Sequence, residues 1–466
     1  MNKNIKNIFL LTIILFAAIS MNLIYTQLID PQKVLGRPEN LRYILEEAME
    51  PRGEIYSKDG ALLAQSKHVG QLYLRNYPYG EIFEPILGFF DPKYGKSGIE
   101  QALDNYLSHK KWPGLIGTIS RLVSMNLSDE PNTITLTINS RLQKKAYELL
   151  SERRGAVVAM DPKTGEVIVL VSSPSFDPNR LAEEWEALSS DEGAPFLNRA
   201  TMGLYPPGST YKIITLAAAL ENKMDTGKTV DCTGELEIGG NKVLEFEGRS
   251  HGEVDIEQAF TRSCNIFFAL LSLDLGNNLL TSYSYRFGFD RKIPFEVPVQ
   301  KSHLGLEDQD DEVALAWTGI GQAKVLVTPL QMVLVTCAIA NDGIIMTPHI
   351  IKDIKSNDGK LLQQASSRVL FKALERQTAD KISEMMQDVV EKGTGKAASV
   401  PGINVAGKTG TAEVGNGKNP HSWFVGFAPA EDPTIVFSII IENAGAGGVE
   451  AAHVFKEMVN EYLKEF

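Results

Sequence analysis

The sequence predicts an α+β protein in which an antiparallel sheet is covered by helices, with a small N-terminal pedestal domain and one N-terminal transmembrane helix. Three observations predict it. Within residues 132–466, strand-like runs stand near both ends (133–172 and 402–441) and helical stretches fill the space between. At the N-terminus, Lys3 and Lys6 precede a mainly apolar run over 8–29, about 33 Å long as a helix and so enough to cross a bilayer. Between the two lies a stretch rich in charge and tyrosine, made of short strand-like pieces broken by Gly and Pro. The expected divisions are 1–29 (cytoplasmic start and anchor), 30–131 (juxtamembrane pedestal) and 132–466 (main domain).

Composition bounds the function. A chain of 466 residues, 43% hydrophobic, is long enough for one large domain and a smaller one. Its net charge of −12 argues against general nucleic-acid binding, which needs a basic surface. Cys232, Cys264 and Cys337 are too few for a disulfide framework, and none has metal-ligand spacing. The expectation is three free, buried thiols, with a single disulfide as the alternative for an exported chain, and no metal or cofactor.

The lysines before the apolar run place the start inside and the remainder outside the membrane. A cleaved signal peptide would use Ala18-Ile19-Ser20, but the apolar run continues through Met21, Leu23, Ile24 and Leu28, which favours a retained anchor. In the pedestal, 52–64 reads as two strands around the Asp59-Gly60 turn, and Ser97-Gly98-Ile99-Glu100 opens a helix. Residues 133–139 alternate as a strand and 140–150 follow as an amphipathic helix. A hairpin over 155–172, turning at Asp161, is apolar enough to be buried on both faces. Residues 257–273 read as a helix with Ser263-Cys264-Asn265 placed against it, and 382–391 as a helix broken by Gly393-Thr394-Gly395. The last strands are 421–429 and 434–441, where Trp423 and Phe424 are core by burial preference and His421 is a strand-end residue.

The chemistry centres on Tyr205-Pro206-Pro207-Gly208-Ser209-Thr210-Tyr211-Lys212, which runs into the apolar helix Ile213-Ile214-Thr215-Leu216. The prolines and glycine fix a turn, and Ser209 follows in a position suited to capping the helix. A serine hydroxyl needs a base to become a nucleophile, and Lys212, three residues on, shares its helix face. Burial in the apolar helix would lower the lysine pKa enough for that role. Ser108-His109-Lys110-Lys111 repeats the spacing, but nothing there would desolvate its lysine.

Further along come Ser263-Cys264-Asn265 and then Lys408-Thr409-Gly410-Thr411. Decoys at Ser20-Met21-Asn22, Ser124-Met125-Asn126 and Lys163-Thr164-Gly165 fail the order, and the last reads as a hairpin turn. Lys408 sits instead in a glycine-flanked strand that leaves room for another backbone or a ligand. In this ordered trio the chain resembles the penicillin-interacting serine acyltransferases, meaning the penicillin-binding proteins and serine beta-lactamases. The Arg52-Gly53 strand, the Gly98-Ile99-Glu100 helix start, Asn198-Arg199-Ala200 and Thr328-Pro329-Leu330 are similar to class B penicillin-binding proteins. Only about 30 residues separate Glu100 from Thr133, so the chain looks most like the short, penicillin-binding protein A-like form.

The resemblance implies the beta-lactamase/transpeptidase-like fold and a monofunctional peptidoglycan D,D-transpeptidase. Ser209, deprotonated by Lys212, would attack a stem peptide ending in D-Ala-D-Ala, and beta-lactams would acylate the same oxygen. Ser263 would relay a proton to the departing amine and Asn265 would hold the substrate backbone. Lys408, Thr409, Gly410 and Thr411 would bind the terminal carboxylate. Backbone N–H groups of Ser209 and Thr411 would form the oxyanion hole, where one donor is typically worth about 3 kcal/mol. The implied setting is a single-pass protein of the cell membrane, catalytic on the extracytoplasmic side, partnered by a SEDS-family membrane glycosyltransferase. The alternatives are a D,D-carboxypeptidase or beta-lactamase-type hydrolase, and a penicillin-binding sensor or scaffold without turnover. A hydrolase of the beta-lactamase kind needs a glutamate to activate water; Glu307 and Glu312 are available, but their acidic run reads as a solvated loop.

Overall fold

The computed structural model describes residues 3–24, 48–108, 131–150, 153–225, 227–306, 311–415 and 417–464. The N-terminal run is a helix, α1 (Lys3–Ile24), whose stretch Asn4–Leu23 is long and apolar enough to cross a membrane. The remainder of the expected span, 25–29, lies outside the described residues.

In the pedestal, β1 (Ile55–Tyr56) pairs antiparallel with β2 (Leu62–Val69), which pairs with β3 (Leu72–Asn76). The Asp59-Gly60 turn joins β1 and β2 as expected, with Gly60 in the left-handed region. The short helix α2 (Gly98–Ala102) follows. It carries Glu100, wholly buried, which accepts Arg52 Nε at 2.9 Å and Arg75 Nε at 2.5 Å. Burial pushes the Glu100 carboxyl up, but the two guanidiniums outweigh it and hold its pKa below the ordinary value. Arg52 also reaches Asp104 at 2.8 Å, so the strand and the helix that begin the pedestal are joined through buried charge. Replacing Glu100 by Ala removes the carboxylate that two buried guanidiniums share and is expected to cost about 3–5 kcal/mol. Urea denaturation of the full chain in detergent checks this as a lowered midpoint.

The pedestal does not own its sheet. β4 (Thr133–Leu136) lies parallel to β1, so a strand of the segment assigned to 132–466 completes it. After it, α3 (Ser140–Leu150) and the hairpin β5 (Gly155–Met160) and β6 (Val167–Ser173) begin the main domain, and both strands are buried throughout, as their unbroken apolar sequence requires. A single 3-10 turn, Gly208–Tyr211, leads into α4 (Lys212–Glu221). A small hairpin, β7 (Val230–Cys232) with β8 (Gly252–Val254), precedes α5 (Ile256–Arg262) and α6 (Asn265–Arg286). The helix expected over 257–273 is therefore two helices. Ser263, at φ 62, ends α5 in the left-handed region, and the Cys264 side chain accepts the Phe267 N–H to start α6.

The chain returns through α7 (Glu312–Gly319) and the wholly buried α8 (Pro329–Ala340). It then adds β9 (Ile351–Lys355) and β10 (Leu361–Gln364) to the pedestal sheet, whose order is β10-β9-β4-β1-β2-β3. The helix α9 (Arg376–Glu391) precedes three long strands, β11 (Ala406–Ala412), β12 (His421–Ala428) and β13 (Ile435–Ile441), and the chain closes with α10 (Glu450–Leu463). The central sheet is antiparallel throughout in the order β11-β12-β13-β5-β6.

Alternate residues of each strand face opposite sides, so the sheet feeds two cores. Val158, Val425 and Ile440 pack with α8 and α4 in one, while Val157, Phe424 and Ile439 pack with α3 and α10 in the other. Trp423 and Phe424 are both fully buried, on opposite faces. Covered on both sides, the sheet presents its edge strand β11 to the Ser209 turn, and that edge is where the site forms.

Candidate active site

Ser209 does not cap a helix, as its sequence context suggested. Pro207 already has near-helical backbone (φ −75, ψ −19), so coiling starts before the serine and Ser209 arrives inside the 3-10 turn. The turn is fastened on three sides. Gly208, at φ +54, sits so close to β11 that a Cβ would lie 2.7 Å from Thr411 O, and its N–H donates to Gly321 O at 2.8 Å. Trp423 Nε1 donates to Pro206 O at 3.0 Å, and Tyr205 exchanges backbone bonds with Val327. The left-handed φ and the contact with Thr411 both demand glycine at 208. The room left by glycine in β11 is likewise taken by backbone: a Cβ on Gly410 would meet Pro207 O at 3.0 Å.

One turn along, Lys212 is fully buried. Its ammonium donates to Asn265 Oδ1 and to Ser263 O, each at 2.7 Å, with Ser263 Oγ at 3.5 Å. The left-handed Ser263 and the helix start at Asn265 aim both residues at the same nitrogen, which a continuous helix would not do. Burial lowers the Lys212 pKa to about 8, against a partial opposing pull from the Glu245 carboxylate.

Lys408 is also fully buried. It donates to Ser263 Oγ at 2.9 Å and to Thr409 O at 3.1 Å. The Ser263 hydroxyl therefore lies between two ammoniums, and burial together with the nearby Lys212 charge drives the Lys408 pKa well below its ordinary value. Lys408, placed on a glycine-flanked strand as expected, is as deeply buried there as Lys212 is in its helix. Trp317, Gln322 and Thr394 join Ser209, Ser263, Asn265, Thr409 and Thr411 around a cleft of about 600 Å³, and the two lysines lie behind its wall. Thr394 and Thr409 hydroxyls bond at 2.6 Å, and Thr411 Oγ1 accepts Gly447 N–H at 3.3 Å.

All the residues singled out in the sequence thus converge, and the decoys do not. Ser108 donates to Asp104 O, Lys163 pairs with Asp432 in a turn, and Ser20 lies on α1. His109 to Lys111 and Ser124 to Asn126 lie outside the described residues, as does Glu307; Glu312 begins α7 and is exposed. Sequence reasoning missed Glu245, which lines the cleft although only 4% exposed. It also missed that Cys232, Glu245, His251 and Cys264 bring their ligand atoms within 4.8 Å of one another. No motif marks them, because they come from four separate places along one segment, among them the end of β7 and the start of α6. All three cysteines are free and buried.

Comparison with known proteins gives the family. Residues 155–460 match the penicillin binding protein transpeptidase domain, and 52–128 match the penicillin binding protein A dimerisation domain. The chain is 32% identical to the peptidoglycan D,D-transpeptidase PbpA of Mycolicibacterium smegmatis, with all of both chains covered. Among solved structures, the ceftriaxone acyl-enzyme of penicillin-binding protein A from M. tuberculosis superimposes with a TM-score of 0.83 at 31% identity, covering 90% of this chain and 100% of that one. A D,D-transpeptidase domain from Eggerthella lenta gives 0.81 at 34% identity, covering 90% and 99%. With its main domain matched from 155 to 460 and a relative aligned end to end, the chain belongs to the penicillin-binding protein transpeptidase family.

Proposed function

We propose that this protein is a membrane-anchored peptidoglycan D,D-transpeptidase that cross-links stem peptides through a Ser209 acyl-enzyme and is acylated by beta-lactams at the same oxygen. The observation that carries the reading is Ser209 at the mouth of a cleft backed by two buried lysines sharing one hydroxyl. With a pKa of about 8, roughly a tenth of Lys212 is neutral at pH 7. That fraction takes the Ser209 proton as Oγ attacks the carbonyl of the penultimate D-alanine. Backbone N–H groups of Ser209 and Thr411 receive the oxyanion. Ser263, held by Lys408, passes a proton to the leaving D-alanine, and Asn265 holds the substrate backbone. Thr409 and Thr411 offer hydroxyls to the terminal carboxylate, while the Lys408 cation acts on it from behind the cleft wall. An acceptor amine then attacks the ester. The anchor α1 holds the domain on the extracytoplasmic face, where a SEDS-family glycosyltransferase supplies the glycan strands.

Transpeptidation over hydrolysis is supported by where two of the described glutamates stand. Glu312 is exposed at the start of α7. Glu245 is at the cleft, but its Oε1 already accepts the Ile266 N–H at 2.8 Å and the Cys264 thiol at 3.1 Å, which holds the carboxylate against the start of α6. The penicilloyl ester is therefore expected to persist for on the order of minutes or longer, since each missing 1.36 kcal/mol of transition-state stabilisation slows its loss about tenfold. Glu307→Gln and Glu312→Gln should leave that lifetime unchanged. A chase after removal of free drug measures it; loss within seconds, stopped by either substitution, identifies a beta-lactamase instead. Incubation with a synthetic pentapeptide stem and a labelled D-amino acid tests the reaction itself. Exchange of the terminal D-alanine for the label is expected, and release of tetrapeptide alone makes the protein a carboxypeptidase.

A further inference from the structure

We infer that Thr394, on the turn that follows α9, is a positioning residue for the substrate's terminal carboxylate: its hydroxyl donates to the Thr409 hydroxyl and thereby directs the Thr409 proton at the carboxylate. This rests on the role proposed above for Thr409. The two side-chain oxygens are 2.6 Å apart, a distance at which either can be the donor, and both residues line the cleft. A hydroxyl carries one proton, and a carboxylate only accepts. When Thr409 gives its proton to the carboxylate it must accept from Thr394, so the ligand itself sets the direction of the bond. Hydrogen bonds in a chain polarise one another, and the last of these ends on a charge. A donor placed behind Thr409 therefore strengthens its hold on an anion.

The backbone around Thr394 is built to keep it there. Gly393 N–H donates to Asp388 O at 3.0 Å and Gly395 N–H to Val389 O at 2.9 Å, which closes the end of α9. On one side the turn lies against α5: a Cβ on Gly393 would stand 2.3 Å from Thr261 O, two residues before Ser263. On the other side a Cβ on Gly448 would stand 2.4 Å from Thr394 O. Glycine at 393 and at 448 thus lets the turn sit between the helix that leads to Ser263 and the chain beyond β13. Threonine is stiff at χ1, so a fixed backbone also fixes where its hydroxyl points. Thr394 is exposed while Thr409 is buried in β11, and Thr409 O accepts Lys408 Nζ at 3.1 Å. Thr409 is accordingly held from two directions, through its carbonyl by Lys408 and through its hydroxyl by Thr394.

The bland alternative is a hydroxyl pair that only staples the turn to β11. A staple acts whatever occupies the cleft, whereas a positioning residue acts through Thr409 and only on ligands that carry the anion. That difference can be measured.

The test follows acylation of the full chain in detergent by stopped flow, with benzylpenicillin and with its methyl ester, which keeps the reactive ring and lacks the anionic group. Thr394→Val keeps the shape and removes the hydroxyl. For benzylpenicillin it is expected to raise the half-saturating concentration about 3- to 10-fold, the range of one hydrogen bond, with most of the effect there rather than in the limiting rate. Thr394→Ser, which keeps the hydroxyl, should restore the wild-type value. In a Thr409→Val background the Thr394→Val change should cost nothing further, because the group it acts through is gone. For the ester, the second-order rate constant should be the same with and without the Thr394 hydroxyl. An unchanged half-saturating concentration, a loss confined to the limiting rate, losses at 394 and 409 that add, or an equal loss for acid and ester each overturn the inference. The benzylpenicillin comparisons decide alone if the ester reacts too slowly to follow, and Thr394→Ala reads the same difference if Thr394→Val does not fold. Failure of the underlying reading looks different, since the wild-type chain would then take up no penicillin at Ser209.

Discussion

Labelled penicillin is expected to add one equivalent to the full chain, on Ser209, and Ser209→Ala is expected to take up none. The size of the effect follows from covalent catalysis: without the hydroxyl there is no ester, and loss of a nucleophilic serine elsewhere costs on the order of a millionfold. Because Gly208, Trp423 and Tyr205 fasten the turn through backbone, removing one oxygen from a partly exposed side chain leaves the fold in place. Intact-mass spectrometry with peptide mapping decides the matter. Label on Ser108, or label retained by the Ser209→Ala protein, is incompatible with the proposed nucleophile.

The second large effect is expected at Lys212. Lys212→Ala removes the base and should slow acylation by about 100- to 10,000-fold, with little change in the concentration of drug that half-saturates the rate. The neutral lysine is the active form, so in the wild-type chain the acylation rate should rise as pH increases through about 8 and level off above it. A rate that falls over that range assigns the base to another group. Lys408→Ala separates the two cations. Its ammonium holds Ser263 Oγ at 2.9 Å, so its loss should slow the chemical step as well as weaken capture of carboxylate-bearing ligands. Stopped-flow acylation at several drug concentrations distinguishes the two contributions, and a pure change in affinity would show that the Ser263 contact is idle.

Much of this protein was legible in the chain. Unbroken apolar runs at 155–160 and 167–171 announced strands buried on both faces, because only such strands can spend every side chain on a core. The ordered trio marked its eight residues, since a nucleophile, its base and a carboxylate-binding strand need those residue types wherever the fold puts them. What the chain did not reveal was mostly non-local. The break between α5 and α6 hinges on one residue, Ser263, in the left-handed region, and local helix preference on either side hides it. Sharing of the pedestal sheet by β4, β9 and β10 depends on pairing across more than 200 residues in places, such as Thr133 with Lys355, which no composition shift records.

The sequence by itself determined which residues are the candidates for the chemistry, Ser209, Lys212, Ser263, Asn265 and Lys408 to Thr411, together with the sheet that carries the last of these and the apolar N-terminal helix. Only the tertiary structure decided how those groups are charged and what they touch. It buried both lysines against one hydroxyl, and it gathered Cys232, Glu245, His251 and Cys264 beside them. The physical reason is that residue type and order are properties of the chain, whereas desolvation and the convergence of ligand atoms exist only once distant segments share the same few ångströms.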